Sequence, residues 1–184
     1  MKVKISSEPI DFLNYESLVL GFFSDERPPR GYSGFVDWRL NGMISKQISD
    51  GKVTGSFMEK TLITSNYRIP SLRIILLGLG KSTNLTYDQL YTAGHVIAQT
   101  TEKINCTEYA FDIPSPERCN LQMAEMTTAM ISGFTDEAIE NKTQSDIIST
   151  CILGDETYRD EIVLGANQFK VSVKNKIKVI ILEV

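Results

Sequence analysis

The stretch Ile74-Ile75-Leu76-Leu77-Gly78-Leu79-Gly80-Lys81, followed closely by Thr86-Tyr87-Asp88-Gln89, constrains the fold of this chain more than any other. Ile74 to Leu77 show no polar alternation, which suits a strand covered by helices on both faces, as in parallel or mixed α/β sheets. Gly78 and Gly80 then allow a sharp turn, a positive φ or a close backbone approach. Thr86 and Gln89 have capping-box spacing, so each side chain can satisfy the other's backbone N–H. Beyond them Leu90, Gly94, Ile97, Ala98 and Thr101 recur at helical spacing and make one apolar or small-residue face. Strand, glycine turn and helix in this order predict an α/β unit.

A glycine loop before a helix can cradle phosphate, because exposed amides near a helix N-terminus favour anions. Gly-Leu-Gly-Lys-Ser, however, lacks the third glycine of a dinucleotide fingerprint and the long spacing of a P-loop. A structural turn is the first expectation; a ligand site using Gly78, Gly80 and Lys81 is the second.

Along the rest of the chain, Lys2 to Ile5 and Leu18 to Phe23 predict strands. Asp25 to Gly31 contains Pro28-Pro29 and predicts a loop. Val36, Leu40, Met43, Ile44 and Ile48 form a helical stripe ending at Asp50-Gly51. Thr61 to Thr64 and Tyr109 to Ile113 predict strands. Ser115-Pro116 predicts a helix start, with serine as cap and proline at the first helical position; its stripe is Cys119, Met123, Met126, Met130 and Phe134. Thr150 to Leu153 predicts a strand, and Asp155 is placed to cap a helix bearing Tyr158, Ile162, Ala166 and Phe169. From Lys170 to Ile181, alternating lysine and aliphatic residues predict a half-exposed strand or hairpin whose lysines guard a sheet edge. The repeated alternation of strands and helices predicts a three-layer α/β/α sandwich with a mixed sheet.

The order of these segments carries a resemblance. Gly31-Tyr32-Ser33-Gly34-Phe35-Val36-Asp37-Trp38-Arg39-Leu40-Asn41-Gly42, then Lys52-Val53-Thr54-Gly55, then Thr61 to Thr64, then Gly78-Leu79-Gly80-Lys81 with Leu85-Thr86 after it, is similar to the N-terminal, non-catalytic domain of leucyl aminopeptidases. The similarity runs roughly from Ser17 to Asp112. It implies a single domain over residues 1–184 with a macro-domain-like fold. In that family the two metals and the catalytic groups belong to a separate C-terminal domain, marked by Asn-Thr-Asp-Ala-Glu-Gly-Arg and Gly-Lys-Gly segments that do not occur here. The resemblance therefore implies a domain standing alone as a non-catalytic module, with no cofactor or metal, that binds a partner protein or a small anionic ligand. Macro domains, many of which hold ADP-ribose near glycine-rich loops, make a nucleotide-type ligand the alternative.

Composition agrees with one globular domain: 184 residues, 42% hydrophobic and 23% charged. A net charge of -4 disfavours nucleic acid, which rewards basic surfaces. No apolar run approaches the length needed to span a bilayer, and the first residues lack a signal-peptide apolar core. Three cysteines, Cys106, Cys119 and Cys151, fit reduced thiols better than a disulfide framework and make cytoplasm the expected location. Self-association stays open.

Candidate chemistry is sparse. His95, the one histidine, falls about 140° around its helix from Leu90 and is expected to be exposed and without partners. The adjacent acids Asp136-Glu137, Asp155-Glu156 and Asp160-Glu161 should diverge on solvated helix surface. Met123, Met126 and Met130 are expected to be core, and Cys119 a buried thiol in spite of Arg118 beside it. Asp25, Glu26, Arg27, Arg30, Asp37 and Arg39 form the most polar cluster. Pairing among themselves is the first expectation, and an anion site using Arg27, Arg30 and Arg39 the second.

Overall fold

A computed structural model describes residues 1–140 and 149–183. Its strands are β1 (Lys2–Ser6), β2 (Ser17–Phe22), β3 (Lys60–Thr64), β4 (Arg73–Gly78), β5 (Tyr109–Asp112), β6 (Ser149–Leu153) and β7 (Ile180–Glu183). They form one sheet in the order β3-β4-β2-β5-β6-β1-β7. β3 runs antiparallel to β4 and every other described pairing is parallel. In β2, Val19 is in register with Ile75 of β4 and Phe111 of β5.

Parallel neighbours need crossovers, and helices supply them. α3 (Tyr87–Lys103), α4 (Met123–Glu140) and α5 (Arg159–Ser172) cover one face, packed on Val19, Ile75, Leu77, Phe111 and Ile152. α1 (Gly31–Arg39) and α2 (Met43–Ser49) cover the other, against Leu18, Leu20, Ile74, Leu76 and Leu153. Alternate strand residues thus serve two cores, as the uninterrupted run at Ile74 to Leu77 requires, and each such side chain contributes about 1.5–3 kcal/mol on burial. This is the three-layer α/β/α sandwich with a mixed sheet that the alternation predicts. Thr86 and Gln89 form the full capping box on α3. α3 and α4 meet at Gly94 and Gly133, where a Cβ on Gly133 would come within 1.8 Å of the Tyr91 carbonyl oxygen. No helix among the described residues is long and apolar enough to cross a membrane.

Three local expectations are corrected. The stripe from Val36 to Ile48 is two helices, because Asn41 and Gly42 take positive φ of 56° and 74° and reverse the chain between them. Ser115-Pro116 opens only a 3₁₀ turn, Pro116–Arg118; Asn120 at φ 53° breaks the path and α4 starts at Met123, leaving Cys119 buried but outside the helix. The lysine-rich segment is mostly not strand: α5 continues to Ser172, a turn closes through Val173–Ile177, and only Ile180–Glu183 pairs with β1. Lys170 therefore lies in the last turn of α5, where a cation suits the helix dipole, and the edge strand β7 contains no lysine.

Candidate functional site

The carboxyl ends of β1, β5 and β6, with α1 as a wall, enclose a cleft of about 520 Å³. In open α/β sheets this is the end at which ligands bind, and the volume lies within the usual range for small-molecule sites.

Asp112, the last residue of β5, lines the cleft and is only 4% exposed. Its Oδ1 accepts from the Gly21 N–H at 2.6 Å, tying β5 to β2. Burial pushes its carboxyl up to about 6, although the Gly21 bond and the Arg118 charge pull the other way. Arg118 projects from the 3₁₀ turn after β5. Its Nε donates to Glu26 Oε1 at 2.7 Å and its Nη2 pairs with Glu26 Oε2, so the guanidinium is held by a fork in a site from which water is largely excluded. The same guanidinium lies 4.9 Å from the Phe23 ring centroid. That contact and the ion pair join the loop after β2 to the loop after β5.

α1 is fixed to the sheet by Ser33, whose Oγ donates to the Gly21 carbonyl at 2.9 Å. Tyr32 turns into the cleft and donates to the Glu8 carbonyl at 3.3 Å. Burial raises its phenol, and the negative charge of Asp112 adds to the effect. At the rim Phe35 and Trp38 stand 64% and 69% exposed. Arg39 lies over the Trp38 ring at 4.7 Å and pairs with Asp11. After β6, Asp155 is held by Thr157, whose side chain first and whose N–H at 2.9 Å second keep its carboxyl below the usual range. Glu156 beside it accepts from the Ser7 hydroxyl.

The Gly78–Lys81 loop lies elsewhere. A Cβ on Gly78 would come within 2.1 Å of the Ser56 carbonyl oxygen, and Gly80 has φ +74°. The Gly80 N–H donates to Gly55 at 2.9 Å and its carbonyl accepts from Ser24 at 2.8 Å, so neighbouring backbone covers the turn on both sides. Glu59 braces the covering segment by accepting from the Thr54 hydroxyl at 2.6 Å and from the N–H groups of Thr54, Gly55 and Ser56. Burial alone would raise its carboxyl, but these bonds outweigh it and hold the group below its usual range.

Of the residues singled out from sequence, Arg39 lines the cleft, whereas Gly78, Gly80, Lys81, Arg27 and Arg30 are not among its lining residues. Lys81 is exposed beside the turn. Arg27 donates to the carbonyls of Glu26 and Thr54, and Arg30 is exposed just before α1. The cluster does not pair with itself as expected. Asp37 is buried and accepts from the Ser45 N–H at 3.0 Å and from the Ser45 hydroxyl, because the Asn41-Gly42 reversal brings α2 back against it. Glu26 and Arg39 find Arg118 and Asp11 instead. His95 is also not alone: its Nδ1 lies 2.9 Å from Glu137 Oε2, and the Tyr91 hydroxyl donates to Asp136 at 2.8 Å. Glu137, 7% exposed, is therefore not solvated surface. Met123, Met126 and Met130 are core, and all three cysteines are buried. No group of three or more potential metal ligands occurs among the described residues.

Sequence reasoning missed Asp112, Arg118 and the aromatic rim. A usable signal existed for the first: an aspartate closing the otherwise apolar strand Tyr109-Ala110-Phe111-Asp112 has to be bonded or put to use.

The sheet order, the three layers and the cleft at the strand ends define a macro-like α/β/α domain. A Trypanosoma brucei macrodomain in complex with ADP superimposes with a TM-score of 0.68 at 12% identity, covering 89% of this chain and 67% of that one. A tomato leucine aminopeptidase mutant superimposes with a TM-score of 0.62 at 18% identity, covering 90% of this chain and 35% of the other. Residues 19–143 match the family model described as the cytosol aminopeptidase family, N-terminal domain, and the chain belongs to that family. A probable cytosol aminopeptidase of Alkaliphilus oremlandii is 31% identical over 90 residues, 49% of this chain and 18% of that protein. The chain spans about a fifth of the length of the curated relatives it matches.

Proposed function

We propose that this chain is a non-catalytic binding module related to the aminopeptidase N-terminal domain, and that it holds a small ligand in the cleft at the ends of β1, β5 and β6. The observation that carries this reading is the combination, in one opening, of the buried Asp112 carboxylate with the exposed rings of Phe35 and Trp38. A mostly apolar cavity with a few placed polar groups is the usual form of a small-molecule site. A nucleotide-type ligand is the second reading, favoured by the shared fold of the macrodomain solved with ADP.

Thermal-shift titration with ADP, ADP-ribose and small aromatic amines and acids tests the proposal. A ligand at 100 times its Kd should add about 2.7 kcal/mol of stability, and Trp38→Ala should abolish the shift. If no compound shifts the midpoint, the cleft is not a small-ligand site and a protein partner becomes the better reading. Leucine amide hydrolysis is expected to be absent with manganese or zinc added, because the metal-bearing segments of the family do not occur in this sequence.

A further inference from the structure

The charges around the cleft are unbalanced. Glu8, Asp11, Asp112, Asp155 and Glu156 line it, against Arg39 and Arg118, with Arg159 outside the lining 3.8 Å from Glu156. Both arginines are already engaged, Arg39 with Asp11 and Arg118 with Glu26. An incoming anion finds Arg39 and two of the three Arg118 nitrogens already taken by carboxylates, is left with Arg118 Nη1 outside the fork, and would sit among the remaining acids. A cation is attracted by the lining acids, with the Arg118 charge near Asp112 acting against it.

Asp112 is the second, independent observation. It is more than nine-tenths buried and lines the cleft, and apart from its own backbone the described residues supply it with one donor, the Gly21 N–H on Oδ1. An ionised carboxylate offers about four acceptor positions. Such a group at a cleft wall has acceptor capacity left for a ligand donor. The rim offers the exposed rings of Phe35 and Trp38, against which a flat apolar group can stack. Trp38 already has the Arg39 guanidinium over one face.

We infer that the cleft takes a ligand with a protonated nitrogen beside a flat apolar group, the nitrogen bonded to Asp112 and the flat group set against Phe35 and Trp38. The inference rests on the reading of this cleft as a ligand site and narrows it to a charge class. Specificity arises as much from repulsion as from attraction, and here the repulsion of anions by the lining acids sets it. The feature that would serve an anion instead is Arg118 Nη1, which faces Gly31 at the start of α1 and takes no part in the fork to Glu26.

Tryptamine and indole-3-propionate test the inference, because they share a ring and differ in the sign of the charge. Calorimetric titration of the full chain at pH 7.5 should show tryptamine binding at least about tenfold tighter, equal to about 1.4 kcal/mol. Asp112→Asn should weaken tryptamine about tenfold and leave indole-3-propionate unchanged. Glu8→Gln, further from the core, should narrow the preference in the same direction and serves if the first variant fails to fold. Equal affinities, or tighter binding of indole-3-propionate or ADP, would overturn the cationic assignment while leaving the ligand-site reading intact. Silence from all three probes would remove both.

Discussion

Two places at the same end of the sheet, the Gly78–Lys81 turn and the cleft beside Asp112, have opposite fates. The glycine turn has the residues that suggest a ligand loop, yet Ser24, Gly55 and Ser56 close over it. The cleft has no glycine signature of that kind, yet it stays open, with a buried carboxylate at its wall and two aromatic rings at its rim. Glycine without a side chain is equally suited to admitting a phosphate and to admitting another backbone. Which of the two arrives depends on what the rest of the chain packs there.

The largest effect should come from the ion pair that shapes the open side. Glu26 and Arg118 have side-chain exposures of 11% and 9%, and removing one partner of a buried pair typically costs about 3–5 kcal/mol. Glu26→Ala is expected to lower stability by that order in urea unfolding. A loss below about 1 kcal/mol would mean that the pair behaves as a surface contact and does not hold the cleft wall.

On the closed side, Gly78→Ala puts a Cβ where the Ser56 carbonyl oxygen is 2.1 Å away and the Gly55 carbonyl carbon 2.8 Å away. Backbone must move, and a destabilisation of about 3 kcal/mol is expected. Chemical denaturation measures it directly, and a neutral result would show that the turn is looser than its packing implies.

Asp112→Asn should act in the opposite direction and depend on pH. The folded-state carboxyl is raised to about 6 from 3.8, so the native state holds its proton more tightly than the unfolded chain does. The resulting penalty is absent below the unfolded value, grows as pH rises through the interval and is complete above about 6. From those two values it amounts to about 3 kcal/mol at most. Asparagine keeps an oxygen for the Gly21 N–H and carries no charge. The variant should therefore be more stable than the parent at pH 7.5 and nearly equal to it at pH 4. Melting curves at both pH values check this, and a variant less stable at pH 7.5 would contradict the buried-charge account.

Lys81→Ala should change least. The side chain is exposed beside a covered turn, so an effect within about 0.5 kcal/mol and an unchanged ligand response are expected. A ligand-induced thermal shift lost in Lys81→Ala and kept in Trp38→Ala would reverse the assignment of open and closed sides.

Local, short-range signals were legible in the sequence. The Thr86–Gln89 box needs only residues three apart, the Ile74–Leu77 run reports a strand with helices on both faces, and strand-helix alternation implies crossovers on a largely parallel sheet. The same local reasoning failed where two elements share one pattern. From Lys170 to Ile181 a helix end, a turn and a short strand together mimic a period of two. Asn41 and Gly42 carried a break signal that the continuous apolar stripe on either side obscured.

The amino-acid sequence by itself determined the layer architecture, the Thr86–Gln89 capping box and the family, because periodicity, local capping and motif order are properties of neighbouring residues. The tertiary structure alone decided the site. Gly21 meets Asp112 across 91 positions, and Glu26 meets Arg118 across 92. Such contacts are set by which strands lie side by side in the sheet, so neither the raised carboxyl of Asp112 nor the open cleft beside it exists until β2, β5 and β6 have paired.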